Sequence, residues 1–114
     1  VAAARESIAE AFRLSDELES RFMVGEIHRV HGDILLAGPE SDPVAARSEY
    51  ETSLSFAREQ NSKLWELRTL NSLVELQRDG EDGESFRSQL QTCLDWFTEA
   101  ESTPDVLKAK SLLA

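Results

Sequence analysis

The chain has 114 residues, 22 of them acidic and 12 basic, for a net charge of −10. That balance excludes the basic face that DNA and RNA binding needs, disfavours an acidic membrane surface, and points any electrostatically steered partner toward a basic one. Five glycines and three prolines leave few turns, and no apolar run approaches the ~20 residues of a membrane-spanning helix. Cys93 is the only cysteine, so no intrachain disulfide can form, which suits a cytoplasmic protein. No signal-peptide pattern is present, and the opening "VAAARE" lacks Met, as expected of a piece of a longer protein.

Taken in order, the segments read as helices. Residues 2–19 carry one narrow apolar stripe: Ala4, Ile8, Phe12 and Ser15. "MVGEIHRVHGDILLAG" carries Met23, Ile27, Val30, Ile34 and Leu35, a face broad enough to pack on two sides, and Gly38-Pro39 ends it. "DPVAARSEYETSLSFARE" returns to a narrow stripe of Ala46, Tyr50, Ser53, Leu54 and Ala57, with Asp42 as N-cap and Pro43 at the first helical position. "SKLWELRTLNSLVELQRDG" is broad again, with Leu64, Leu67, Leu70, Leu73, Val74 and Leu76, and is stopped by Gly80 and Gly83. "ESFRSQLQTCLDWFTEA" is narrow, with Phe86, Leu90, Cys93, Leu94 and Phe97. A closing helix starts at Thr103, its expected N-cap, followed by Pro104 and Asp105. Six helices and no strand are expected.

Broad and narrow helices alternate, and a shift of 40 residues lays Ala46, Arg47, Tyr50, Leu54 and Ala57 on Phe86, Arg87, Leu90, Leu94 and Phe97. The same shift lays Glu26, Ile27, Gly32 and Leu36 on Glu66, Leu67, Ser72 and Leu76, and a shift of 42 lays Ala46 and Tyr50 back on Ala4 and Ile8. The expected fold is an all-α solenoid fragment of antiparallel helix pairs in a single domain, 1–114. It divides into a truncated repeat over 1–20, repeats over 22–60 and 63–101, and a closing helix over 103–114. Small Gly32 in the broad helix, then Ala46, Tyr50, Ser53 and Leu54 down the narrow one, resembles the tetratricopeptide repeat. The longer period comes from the turns "AGPESDP" and "DGEDGE". The strings "GEIHRVHGDILLA", "ARSEYETSLSFAREQNSKLWELRTLNSL" and "WFTEAESTPDVLKAKSLLA" resemble the C-terminal repeat region of large predicted ATPases of bacterial signalling. That resemblance implies ATP chemistry and an adenylate-cyclase or transcriptional-regulator output upstream. The chain itself has no phosphate-binding GxxxxGK.

Candidate chemistry is sparse. His28 and His31, three apart, could face one metal, but the only carboxylates nearby in sequence are Glu26 and Asp33, and Asp33 points away at 100° per residue. A polar helix surface is the expected reading, with Gly32 letting the next helix approach. Cys93 lies on an apolar stripe with no basic neighbour, so it is expected to be structural. "DGEDGE" is too short for a calcium loop. Trp65 and Trp96 are expected in the core, Trp96 under the closing helix. No nucleophile elbow is present, and neither catalysis nor a cofactor is expected.

The leading expectation is a non-catalytic interaction or sensor module that docks a peptide, a basic protein or the upstream domains of its own chain. On the repeat template its groove is lined by Glu26, Arg29, Asp33, Glu66 and Thr69. A purely structural cap and a small-molecule or metal sensor at His28 and His31 remain as alternatives. Weak self-association is expected through the Leu14 and Leu18 flank of the first segment.

Overall fold

The computed structural model describes residues 13, 21–97 and 103–114. Among them are five helices and no strand. They are α1 (Arg21–Leu36), α2 (Pro43–Glu59), α3 (Lys63–Leu76), α4 (Gly83–Asp95) and α5 (Pro104–Leu113). The expected helix over residues 2–19 and its Leu14 and Leu18 flank lie outside the described residues.

Local chemistry sets the helix ends. The Asp42 carboxylate accepts the Ala45 amide at 3.1 Å, and Pro43 opens α2 where no amide is needed. Asn61 ends α2 in the left-handed region at φ 55°. The Asn61 amide then reaches the Arg58 carbonyl and the Ser62 amide reaches the Ala57 carbonyl. These are the two bonds of a Schellman ending, with asparagine where glycine is usual. Ser62 at once caps α3 by accepting the Trp65 amide at 3.4 Å. One short segment, Gln60 to Ser62, therefore ends one helix and starts the next. The α4 boundary differs from expectation: Gly83 does not end a turn but is the buried first residue of α4, after Asp82. Thr103 takes the N-cap position of α5 without a side-chain capping bond.

Each helix packs on its chain neighbour, and α3 also touches α1 and α5. The four neighbours of α3 account for its broad apolar face: Leu67, Leu70, Leu73 and Val74 are buried, joined by Thr69 and Asn71. On α2, all five stripe residues are buried. On α4, Phe86, Leu90 and Cys93 are buried, with Leu94 and Phe97 packed against the same core.

Two expectations about burial fail. On α1, Met23, Ile27, Val30 and Ile34 are 41–64% exposed, because among the described helices only α2 and α3 pack on α1, and they take its other side. Trp96 is 62% exposed, because α4 stops at Asp95 and Phe97 takes the core side, with the two rings edge to face at 5.2 Å. Trp65 is half-buried, with the Arg68 guanidinium 4.6 Å above its ring.

The covered side of α1 holds Gly25 and Gly32, seven residues apart. A Cβ at Gly32 would sit 2.6 Å from Cε1 of Tyr50, and one at Gly25 would sit 3.0 Å from Cβ of Phe56. The expected close approach at Gly32 is present, and Gly25 extends the same seam. The absence of two side chains lets α2 lie against the α1 backbone.

Candidate functional site

A polar groove runs between α1, α3 and α5. It consists of a hollow of about 520 Å³ and an adjoining one of about 320 Å³, which share Arg29, Ser72 and Lys108 on their walls.

On α1, three of the expected groove residues work as one unit. Arg29 takes both Glu26 oxygens, at 2.5 and 2.9 Å, and reaches Asp33 at 3.1 Å. Spacings of three and four residues put all three on one helical face. The Glu26 carboxylate holds the Arg29 guanidinium above its ordinary value, so the charge is permanent. The other Asp33 oxygen accepts the Tyr50 hydroxyl at 2.5 Å. Burial first, then this carboxylate, pushes the Tyr50 phenol well up, and it stays a donor.

On α3, Arg68 forks onto both Asp105 oxygens of α5 and lies 3.7 Å from Glu26 of α1. Lys108 of α5 pairs with Glu75 of α3 at 2.5 Å. Asn71, 2% exposed, donates its amide N–H to the Asp105 carbonyl at 3.0 Å. That bond fixes the amide orientation and leaves Asn71 Oδ1 as the one buried side-chain oxygen or nitrogen without a hydrogen-bond partner among the described residues.

Glu66 and Thr69 are elsewhere. Glu66 is 8% exposed and pairs with Arg58 and Lys63 at 3.4 and 3.3 Å. Thr69 is 1% exposed and shares a hydrogen bond of 3.0 Å with Ser53 of α2. Both sit in the α2–α3 contact. The cause is a register of two residues. A shift of 40 matches the buried residues of α2 and α4, but α1 maps onto α3 by 42. Buried Gly25 and Gly32 then fall on buried Leu67 and Val74. By the same shift, Glu26, Arg29 and Asp33 fall on Arg68, Asn71 and Glu75, the residues that line the groove from α3. The signal in the sequence was the shared seven-residue spacing of 25/32 and 67/74, hidden because glycines correspond to large aliphatic residues.

The histidines are drawn together by a residue distant in sequence. Glu49 of α2 accepts from Nδ1 of His28 at 2.6 Å and lies 3.4 Å from Nδ1 of His31. The hydrogen bond from His28 holds the Glu49 carboxyl below its ordinary value. The His28 ring stacks on Phe56 at 5.8 Å. No group of three or more histidine, cysteine, aspartate or glutamate side chains suited to a metal occurs among the described residues. The thiol of Cys93 is buried, donates to the Lys63 carbonyl at 3.6 Å, and is pushed up to about 11 by its burial.

No protein-family model, curated protein or solved structure matches the chain. No helix among the described residues is long and apolar enough to cross a membrane.

Proposed function

We propose that the chain is a non-catalytic helical-repeat module of a larger signalling protein, of the tetratricopeptide-like kind, and that it docks a peptide or a neighbouring domain in the α1–α3–α5 groove. The observation that carries this reading is the pairing of equivalent positions: Arg29 and Asp33 on one helix, with Glu26 bound to Arg29, and Arg68, Asn71 and Glu75 on the next, at two adjoining hollows that share Arg29, Ser72 and Lys108. Contacts from α3 to both α1 and α5 support stacked helix pairs. The resemblance to the repeat regions of bacterial signalling ATPases supports the larger setting, with ATP chemistry upstream and a cytoplasmic location.

Fixed charges of both signs set the orientation and selectivity of a docked segment more than its affinity. The negative charge of the chain favours a partner carrying basic groups. The alternative, a structural segment of a longer solenoid, draws support from the mutual pairing of the groove charges.

One experiment separates the two. Peptides are selected for binding to the chain from a random display library. Ser72→Arg, which fills the shared wall of both hollows, is expected to abolish binding of the selected peptides. Ser88→Arg, on the exposed face of α4, is expected to leave it intact. Failure to select any peptide, or binding indifferent to Ser72→Arg, refutes docking in the groove.

A further inference from the structure

We infer, on the basis of the docking proposed above, that the larger hollow of the groove is a subsite for one lysine or arginine side chain of the docked segment. The hollow, of about 520 Å³, has two carboxylates on its walls, Asp33 of α1 and Glu75 of α3, and Leu36, Leu76 and Tyr50 also line it. The chain itself shows what these carboxylates hold. The Lys108 ammonium lies on Glu75 at 2.5 Å, and one arm of Arg29 reaches Asp33 at 3.1 Å.

Neither carboxylate is filled. A carboxylate offers about four acceptor sites. Among the described residues Asp33 uses two, for Arg29 and the Tyr50 hydroxyl, and Glu75 uses one. Both side chains are half-exposed. The groove also carries a surplus of negative charge. Glu26, Asp33, Glu75 and Asp105 are tied to Arg29, Arg68 and Lys108, four carboxylates to three cations. Arg29 spends two bonds on Glu26, so Asp33 has no cation of its own among the described residues.

The adjoining hollow asks for a donor as well. Its wall includes Asn71, 2% exposed, whose Oδ1 has no partner. A peptide meets both demands, with a cationic side chain for the surplus charge and backbone N–H groups beside it. Leu36 and Leu76 suit the aliphatic stem of a long basic side chain. A bare metal ion does not fit, since no group of three or more suitable ligands comes together among the described residues. Lys108 is the competitor. It is half-exposed, and a surface pair of this kind holds weakly, so the entering cation displaces it from Glu75 into solvent.

The test uses peptides selected from a random display library on the 114-residue chain. They are expected to share one lysine or arginine. Norleucine there, which keeps the stem and drops the charge, is expected to weaken binding about tenfold. Glu75→Gln is expected to weaken the basic peptide by a similar factor and to leave the norleucine peptide unchanged. Lys108→Met is expected to tighten the basic peptide several-fold. Glu84→Gln, on an exposed position of α4, controls for the overall charge and is expected to change binding by less than about twofold. Circular dichroism checks that each variant is folded. Peptides blocked by Ser72→Arg that share no basic residue overturn the subsite and leave docking in the groove standing. Equal losses in Glu75→Gln and Glu84→Gln also overturn it, assigning the preference to the net charge. A library that yields no peptide overturns the subsite and the docking together.

Discussion

Gly32→Ala sets two known effects of opposite sign against each other. Alanine in place of a mid-helix glycine adds about 1 kcal/mol of helix propensity. At Gly32 the new methyl carbon would sit 2.6, 2.9 and 3.1 Å from Cε1, Cδ1 and Cζ of Tyr50. No real carbon pair tolerates the first of these distances, so the ring or the helix must move. The ring has little room: Tyr50 is 2% exposed and its hydroxyl is held by Asp33. Overpacking of this kind costs about 1–3 kcal/mol. The clash outweighs propensity, and Gly32→Ala is expected to lose about 1 kcal/mol net, a fall in Tm of roughly 5 °C for a domain this size. Urea and thermal unfolding measure it. A second background makes the cause explicit. In Tyr50→Leu, itself destabilised, the obstacle is gone, and Gly32→Ala is expected to become stabilising by about 1 kcal/mol. A rise in Tm for Gly32→Ala in the native background would refute the close approach of α2 to α1 and the register built on it.

Three further outcomes are expected. The Glu49 carboxyl is held below its ordinary 4.5 by His28, so its contribution is present above that value and is lost as pH falls through its lower folded value. Comparing unfolding of the native chain and Glu49→Gln should therefore show a difference of under ~1 kcal/mol near neutrality that vanishes in acid, and an unchanged gap at pH 3 would contradict the contact. Zinc titration should give no stoichiometric site, because the described residues bring no group of three or more suitable ligands together; a submicromolar site lost in His28→Ala would reverse that reading. Cys93 should react with a thiol reagent at pH 8 only as fast as the fold opens, and a rate matching free cysteine would place the thiol at the surface.

The sequence is most legible where one physical signal decides. Periodicity alone identified all five buried residues of α2, because a narrow apolar stripe on an otherwise polar helix has one solution. Asp42 and Pro43 were equally readable, since capping is local. The Asn61 ending was not, because a left-handed asparagine depends on the α2–α3 connection as a whole. Periodicity gives a face but not its cover. The stripes of α1 and α3 look alike in sequence, yet among the described helices α3 has four neighbours and α1 has two. Of the residues expected to line a groove, Arg29 and Asp33 lie at the hollow, whereas Glu66 and Thr69 lie in the α2–α3 contact, because Glu66 resembles Glu26 in type while Arg68 matches it in position. Glu49 was out of reach of any local rule: it meets His28 across 21 residues of sequence.

Asn71 carries the sharpest contrast between a docking module and a structural segment. Its amide is buried at the α3–α5 contact, where it makes one hydrogen bond and leaves one oxygen unmatched. A buried acceptor without a partner costs about 1–3 kcal/mol, whereas an ordinary hydrogen bond returns only about 1. Leucine at this position has similar volume and no polar atom, so Asn71→Leu removes the penalty together with the bond. Stability is expected to stay within about 1 kcal/mol of the native chain or to rise. Under the docking proposal, this oxygen on the wall of the groove accepts from a donor of the docked segment. Asn71→Leu is therefore expected to weaken binding of groove-selected peptides at least tenfold while chemical denaturation shows no loss. If Asn71→Leu instead loses more than ~2 kcal/mol, the amide is there to hold α5 against α3. The groove would then be a seam between stacked helices, with Arg68, Asp105, Glu75 and Lys108 as its stitches.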